Sequence, residues 1–304
     1  MDLPNQVIAI LCRQVCRQRI ALHAKSLYLA GNVAGKSIVT TLHPLHLQGR
    51  ANGALPQSAL VAGLKADAKG THSSRTIMLG DLAAVLSATR DDAHRRDYVA
   101  AITESNCLGK PTGSTRRLSA QRLSELYILD PSLPLYRVFR RLWDQDAAGR
   151  PLLAIVLAVA RDPLLAATAE PVLSLPVGTE YQREANRQAL RRVAGERFNS
   201  SILDKVLRNT ASSWTQSGHL QGRTFKKRCA VKATVGSAVL ALYLGYLTGF
   251  RGSDLFASGW FRLLDCTPSR ARELALEAKR LGLIDLRIAG DVVDLKLDRL
   301  VGQG

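Results

Sequence analysis

The sequence predicts a mainly helical protein carrying small winged-helix-like β-hairpins in its C-terminal half. Three observations support this. Apolar residues recur at helical spacing from Thr76 to Gln216. Alternating strand-like patterns are scarce before residue 218. After Asn199 the order helix, stop glycine, hairpin occurs twice.

In chain order, Thr76 to Thr89 places Ile77, Leu79, Leu82, Val85 and Leu86 near helical intervals. A second helix carries Tyr98, Val99 and Ile102. Thr115 is the expected cap of a third, whose apolar stripe is Leu118, Leu123, Leu126 and Tyr127. Asp130 to Pro134 reads as a turn, with Pro134 preset for the first position of the next helix. That helix buries Leu135, Val138, Phe139, Leu142 and Trp143, and Pro151 and Pro163 open two further apolar helices. Ser200 to Gln216 is two-faced. Leu203, Val206, Leu207, Thr210 and Trp214 line one side, and Lys205, Asn209, Ser212, Ser213 and Gln216 the other.

Gly218 stands where that helix should stop. His219 to Gln221 and Cys229 to Val231 can pair around a basic tip, Arg223 to Arg228. In the second copy Thr267 and Pro268 start a helix with Ala271, Leu274, Ala275, Ala278 and Leu281 turned inward, and Gly282 ends it. Leu283 to Ile288 and Val292 to Leu297 form its hairpin, whose wing reads as acidic through Asp285, Asp291, Asp294 and Asp298. Four segments result: a basic N-terminal arm (1–60), a helical domain (61–180), a basic winged-helix-like unit (181–232) and a second such unit with an acidic hairpin (233–304).

The 304 residues are 46% hydrophobic and 22% charged, a globular rather than disordered balance. Net charge is +17, which points to a polyanionic partner, nucleic acid before an anionic membrane surface. No apolar run approaches the roughly 20 residues of a membrane span. Arg13, Arg17 and Arg19 interrupt the N-terminal stretch that a signal peptide would need to be apolar. Five scattered cysteines make no disulfide framework, so the expectation is a cytoplasmic protein with no membrane partner.

Residues 183–232 hold 12 Lys or Arg against three acids, a local net charge of +9. Such cations displace counterions from phosphates, while short polar side chains on an exposed helix can reach base edges in a major groove. The DNA-contact set is therefore Arg191, Arg192, Arg197, Lys205, Arg208, Asn209, Arg223, Lys226, Lys227 and Arg228. Lys110, Arg116 and Arg117, beside a helix start, form a secondary phosphate site. His219 is expected as a wing or phosphate contact. None of the six histidines shows a nucleophile partner in sequence, and no carboxylate pair suggests acid–base chemistry. The protein is therefore read as non-enzymatic, with no cofactor or metal.

Ala30 to Ser37 (AGNVAGKS) fits the loose form of a phosphate-binding loop. Leu27 to Leu29 is too short a strand to precede it, and Pro44 interrupts the helix that should follow. Cys12, Cys16, His43 and His46 could supply four zinc ligands, though their spacing is not that of a finger.

Tyr98 to Tyr127 (YVAAITESNCLGKPTGSTRRLSAQRLSELY) resembles a segment of the BrxA family, accessory proteins of BREX bacteriophage-defence systems. The matching positions are Tyr98, Glu104, Asn106, Leu108, Lys110, Thr112, Thr115, Arg116, Arg122 and Leu123. The resemblance implies a helical, DNA-binding protein without assigned catalysis, similar to antitermination-factor folds, whose partners are duplex DNA and other defence proteins. This chain is longer and carries the N-terminal arm. The competing readings are an interaction adaptor in a defence or RNA-processing complex and a P-loop nucleotide-binding protein.

Overall fold

The computed structural model describes residues 55–65, 70–290 and 292–302. The phosphate-loop candidate at 30–37 and the Cys/His set at 12–46 lie outside the described residues. Among the described residues the fold is mainly helical, with two small antiparallel two-stranded sheets.

Helix α1 (Gln57–Ala62) buries Ala59 and Ala62, so the core reaches into the expected arm. A 3-10 turn (Thr71–Ser73) leads to α2 (Leu79–Ala88) and α3 (Arg95–Thr103). Helix α4 (Gly113–Tyr127) is capped by Thr112, whose hydroxyl accepts the Thr115 N–H at 3.2 Å. Thr115 is thus the third residue of the first turn rather than its cap. Helix α5 (Pro134–Gln145) starts on Pro134 and buries Leu135, Val138, Phe139, Leu142 and Trp143 as predicted.

Helix α6 (Arg150–Arg161) is buried from Leu152 onward because neighbours surround it: α4, α5, α10 (Ser200–Gln216) and α11 (Val235–Leu247). An apolar sequence on every face suits that central position. Helix α11 is the other all-round apolar helix, and it packs directly on α6. Short helices α7 (Pro163–Ala167) and α8 (Ala169–Leu173) follow α6, and α9 (Arg183–Ala194) precedes α10.

Strand β1 (Leu220–Gln221) pairs with β2 (Lys227–Arg228), Leu220 opposite Arg228. The second strand is therefore two residues earlier than predicted. It lies there because its other edge is taken by residues 178–181: Gly178 N–H donates to Arg228 O, and Tyr181 N–H to Lys226 O. Extended segment, α9, α10, β1, β2 is helix–helix–hairpin order, as the sequence predicts for this segment.

The order repeats. After α11, a 3-10 turn (Gly252–Leu255) packs against β4, and α12 (Gly259–Arg262) and α13 (Pro268–Arg280) lead to β3 (Asp285–Ala289) and β4 (Val292–Lys296). Thr267 caps α13 as predicted. Leu281, expected to face inward, is 64% exposed, since the helix has ended by then. Helix α14 (Asp298–Val301) closes on α5. One core draws residues from Ala59 to Leu300, and Leu164, Ala167, Leu190, Leu203, Val206 and Leu207 form a satellite beneath α9 and α10.

Candidate nucleic-acid interface

Helix α10 presents its N-terminal half. Asn199 accepts the Ile202 N–H on its side-chain oxygen and starts the helix, while Ser200, Ser201, Ile202, Lys205 and Arg208 are exposed. Ser201, Lys205 and Arg208 are spaced to form one stripe. The C-terminal half is covered by residues 70–79. Asn209 donates through its amide to His72 O at 2.8 Å, and Gln216 accepts the Leu79 N–H at 3.1 Å. Asn209 thus spends one amide N–H on backbone and is half-buried rather than fully exposed as Lys205 and Arg208 are. Ser213, placed in sequence on the outer face, is fully buried.

Ser213 belongs to a cluster that no motif or spacing announces. Asp162 Oδ2 accepts both the His72 backbone N–H at 3.0 Å and Nδ1 at 2.8 Å. His72 Nε2 lies 2.8 Å from Ser213 Oγ. Ser213 Oγ also accepts the Ile77 N–H and bonds Asn209 O, while Asp162 Oδ1 caps α7 through Leu164 N and Leu165 N. Burial opposes ionisation of Asp162, but the His72 ring and the N–H donors outweigh it and hold its pKa below the ordinary carboxylate range. This Asp–His–Ser contact corrects the expectation that no histidine has a nucleophile partner. All three side chains are shut away from solvent, and the serine oxygen is saturated. The cluster fastens residues 70–79 across α10.

The basic residues divide by partner. Arg183 and Arg187 both bind Asp204, whose carboxyl they hold below its ordinary pKa, Arg187 most strongly. Arg228 is 2% exposed, forms an ion pair with Asp265 and is not a phosphate contact. It points inward because its alternate neighbour Lys227 takes the outer position of a two-faced strand. Lys226 Nζ reaches Thr215 Oγ1 and Gly222 O, each at 3.0 Å, and so ties the hairpin tip to α10. Arg197 caps carbonyls of α9 and stacks on Phe198.

Six of the expected contacts are exposed and have no carboxylate partner among the described residues: Arg191, Arg192, Lys205, Arg208, Arg223 and Lys227. Lys232, outside the predicted set, joins them. In the secondary site Lys110 pairs with Asp81 at 2.9 Å, and Arg116 donates to Lys110 O and Thr103 O, so only Arg117 stays exposed.

His219 is buried rather than wing-facing. Leu263 O, an acceptor only, lies 2.8 Å from Nε2 and so places the ring proton there; Nδ1 then accepts from Ser217 Oγ. Desolvation lowers its pKa from 6.5 to about 4. Two acids of the second hairpin face cations. Arg287 stands opposite Asp294 and Lys296 opposite Asp285, and Arg299 binds Asp285 at 2.9 Å. The cross-strand register pairs opposite charges.

Among the described residues no His, Cys, Asp and Glu group could hold a metal ion, and no helix is long and apolar enough to cross a membrane. In comparisons with known protein families, curated proteins and solved structures, no family, protein or structure matches this chain.

Proposed function

We propose that the protein binds double-stranded DNA without transforming it, using α10 as a recognition helix and the β1–β2 hairpin as a wing. The observation that carries this is the exposed N-terminal half of α10, with Lys205 and Arg208 on one stripe and unpaired Arg223 and Lys227 on the adjoining tip. In helix-turn-helix docking the N-terminal residues of the second helix reach base edges, while cations beside it take phosphates. The resemblance at Tyr98 to Tyr127 extends the reading to a cytoplasmic accessory role in phage defence, with other defence proteins as partners.

The test is fluorescence anisotropy with a short duplex over about 50 to 200 mM salt. In K205Q/R208Q/R223Q/K227Q, four lost phosphate contacts should reduce the slope of log K against log salt by about 3 to 4. Affinity should fall alike on unrelated sequences, since phosphate contacts carry no base information. A folded variant with an unaltered slope would refute the assignment.

One observation favours an adaptor role for the second unit. Leu276 on α13 and Val292 beside the hairpin turn are 45% and 71% exposed, where the first unit carries cations. L276D/V292D should then leave duplex affinity unchanged.

A further inference from the structure

We propose that Phe225 is a wedge that enters the minor groove of bound duplex DNA and unstacks one base step. The inference rests on the duplex-binding reading above. Phe225 is the large apolar side chain at the hairpin tip, and 70% of it faces solvent. An exposed phenyl ring gives up the stabilisation that burial would bring, and this one stands in a sequence of cations, Arg223, Lys226 and Lys227.

The turn holds the ring outward. Gly222 has φ +113°, and a Cβ there would stand 2.3 Å from Phe225 O, so the chain folds tightly back behind the ring. Lys226 clamps the same turn to Gly222 O and to Thr215 of α10. The wedge is therefore positioned before any ligand arrives.

Spacing sets the tip apart from the exposed stripe of α10. Lys205 and Thr215 are ten residues apart on α10. That is ~15 Å at 1.5 Å per residue, so the tip is held well beyond the exposed stripe of Ser201, Lys205 and Arg208. With Lys205 in the major groove, the tip clamped at Thr215 reaches the flanking minor groove. Apolar side chains inserted there part base steps and kink the duplex, and pyrimidine–purine steps yield most easily. Arg223 and Lys227, on either side of the ring, take the phosphates that bound the narrowed groove.

The test uses the full chain and a duplex with 2-aminopurine at a central TA step and dyes at both ends. Wild type should raise 2-aminopurine fluorescence several-fold and shorten the end-to-end distance. F225A should abolish both signals and weaken binding by roughly tenfold, the scale of one aromatic–base contact. Its salt slope should match wild type, because no charge is removed. F225L should recover part of the fluorescence signal. Wild-type binding with neither unstacking nor bending, at any position of the probe, overturns the wedge alone. So does tighter binding to single strands than to duplex, lost in F225A, which would make Phe225 a stacking platform. Failure of wild type to bind duplex at low salt overturns the wedge together with the reading beneath it.

Discussion

His219 looked like a surface contact because it follows a stop glycine and precedes a basic tip. Its partners, Ser217 Oγ and Leu263 O, seal it beneath the wing. A buried imidazole with pKa about 4 against 6.5 unfolded binds fewer protons folded than unfolded between those values. Its contribution is complete above pH 6.5 and is lost as pH falls through about 4, amounting to on the order of 3 kcal/mol. Urea midpoints measured across that range should fall on acidification. H219Q should be less stable at pH 7 and show a flatter profile; an equally steep profile would assign the titration elsewhere. Asp162, depressed, adds a separate loss at lower pH, below the ordinary aspartate value near 4. Neither environment was legible beforehand. His72 and Ser213 are 141 residues apart, and periodicity locates faces, not the partners of buried polar groups.

Elements with strong local grammar were read closely. Asn199, Thr267 and Pro134 fixed three helix starts, since caps and proline act within one turn. The polar face of α10 divides where another segment covers it: towards the C-terminus Asn209 and Gln216 bind residues 70–79. Removing Gln216 should leave the Leu79 N–H without its acceptor. A net hydrogen bond of about 1 kcal/mol predicts roughly fivefold faster amide exchange at Leu79 in Q216A, with the helix interior unaffected. N209A should leave duplex affinity within about twofold, because its amide already pairs with His72 O. A tenfold loss of affinity in N209A would restore Asn209 as a base contact. The paired charges of the second hairpin follow the same logic: strand composition was visible in sequence, but the register that sets Arg287 against Asp294 was not.

At the scale of the molecule, the helical class and both hairpins were legible, because apolar spacing and glycine stops repeat regardless of tertiary context. The way the pieces share a core was not. Residue 232, expected to separate two units, lies between elements that lock together. Arg228 pairs with Asp265 across it, Asp265 also accepts the Val231 N–H, and His219 hydrogen-bonds Leu263 O. Helix α11 packs on α5 and α6 of the preceding segment and is buried on every side from Gly236 to Gly245. A fragment ending at 232 would expose the apolar side of α6 and leave Arg228 buried without its carboxylate, and such an unpaired charge costs several kcal/mol. Calorimetry of the full chain should therefore show one transition for the described region, its van't Hoff and calorimetric enthalpies agreeing. The fragment 55–232 should give a broad, non-cooperative melt with weak near-ultraviolet dichroism from Trp143 and Trp214. A cooperative transition in that fragment would make the basic winged-helix unit independent of the second. R228L in the full chain supplies the control: it removes charge and partner need together, and its loss of stability should be smaller than that of D265A, which strands the guanidinium.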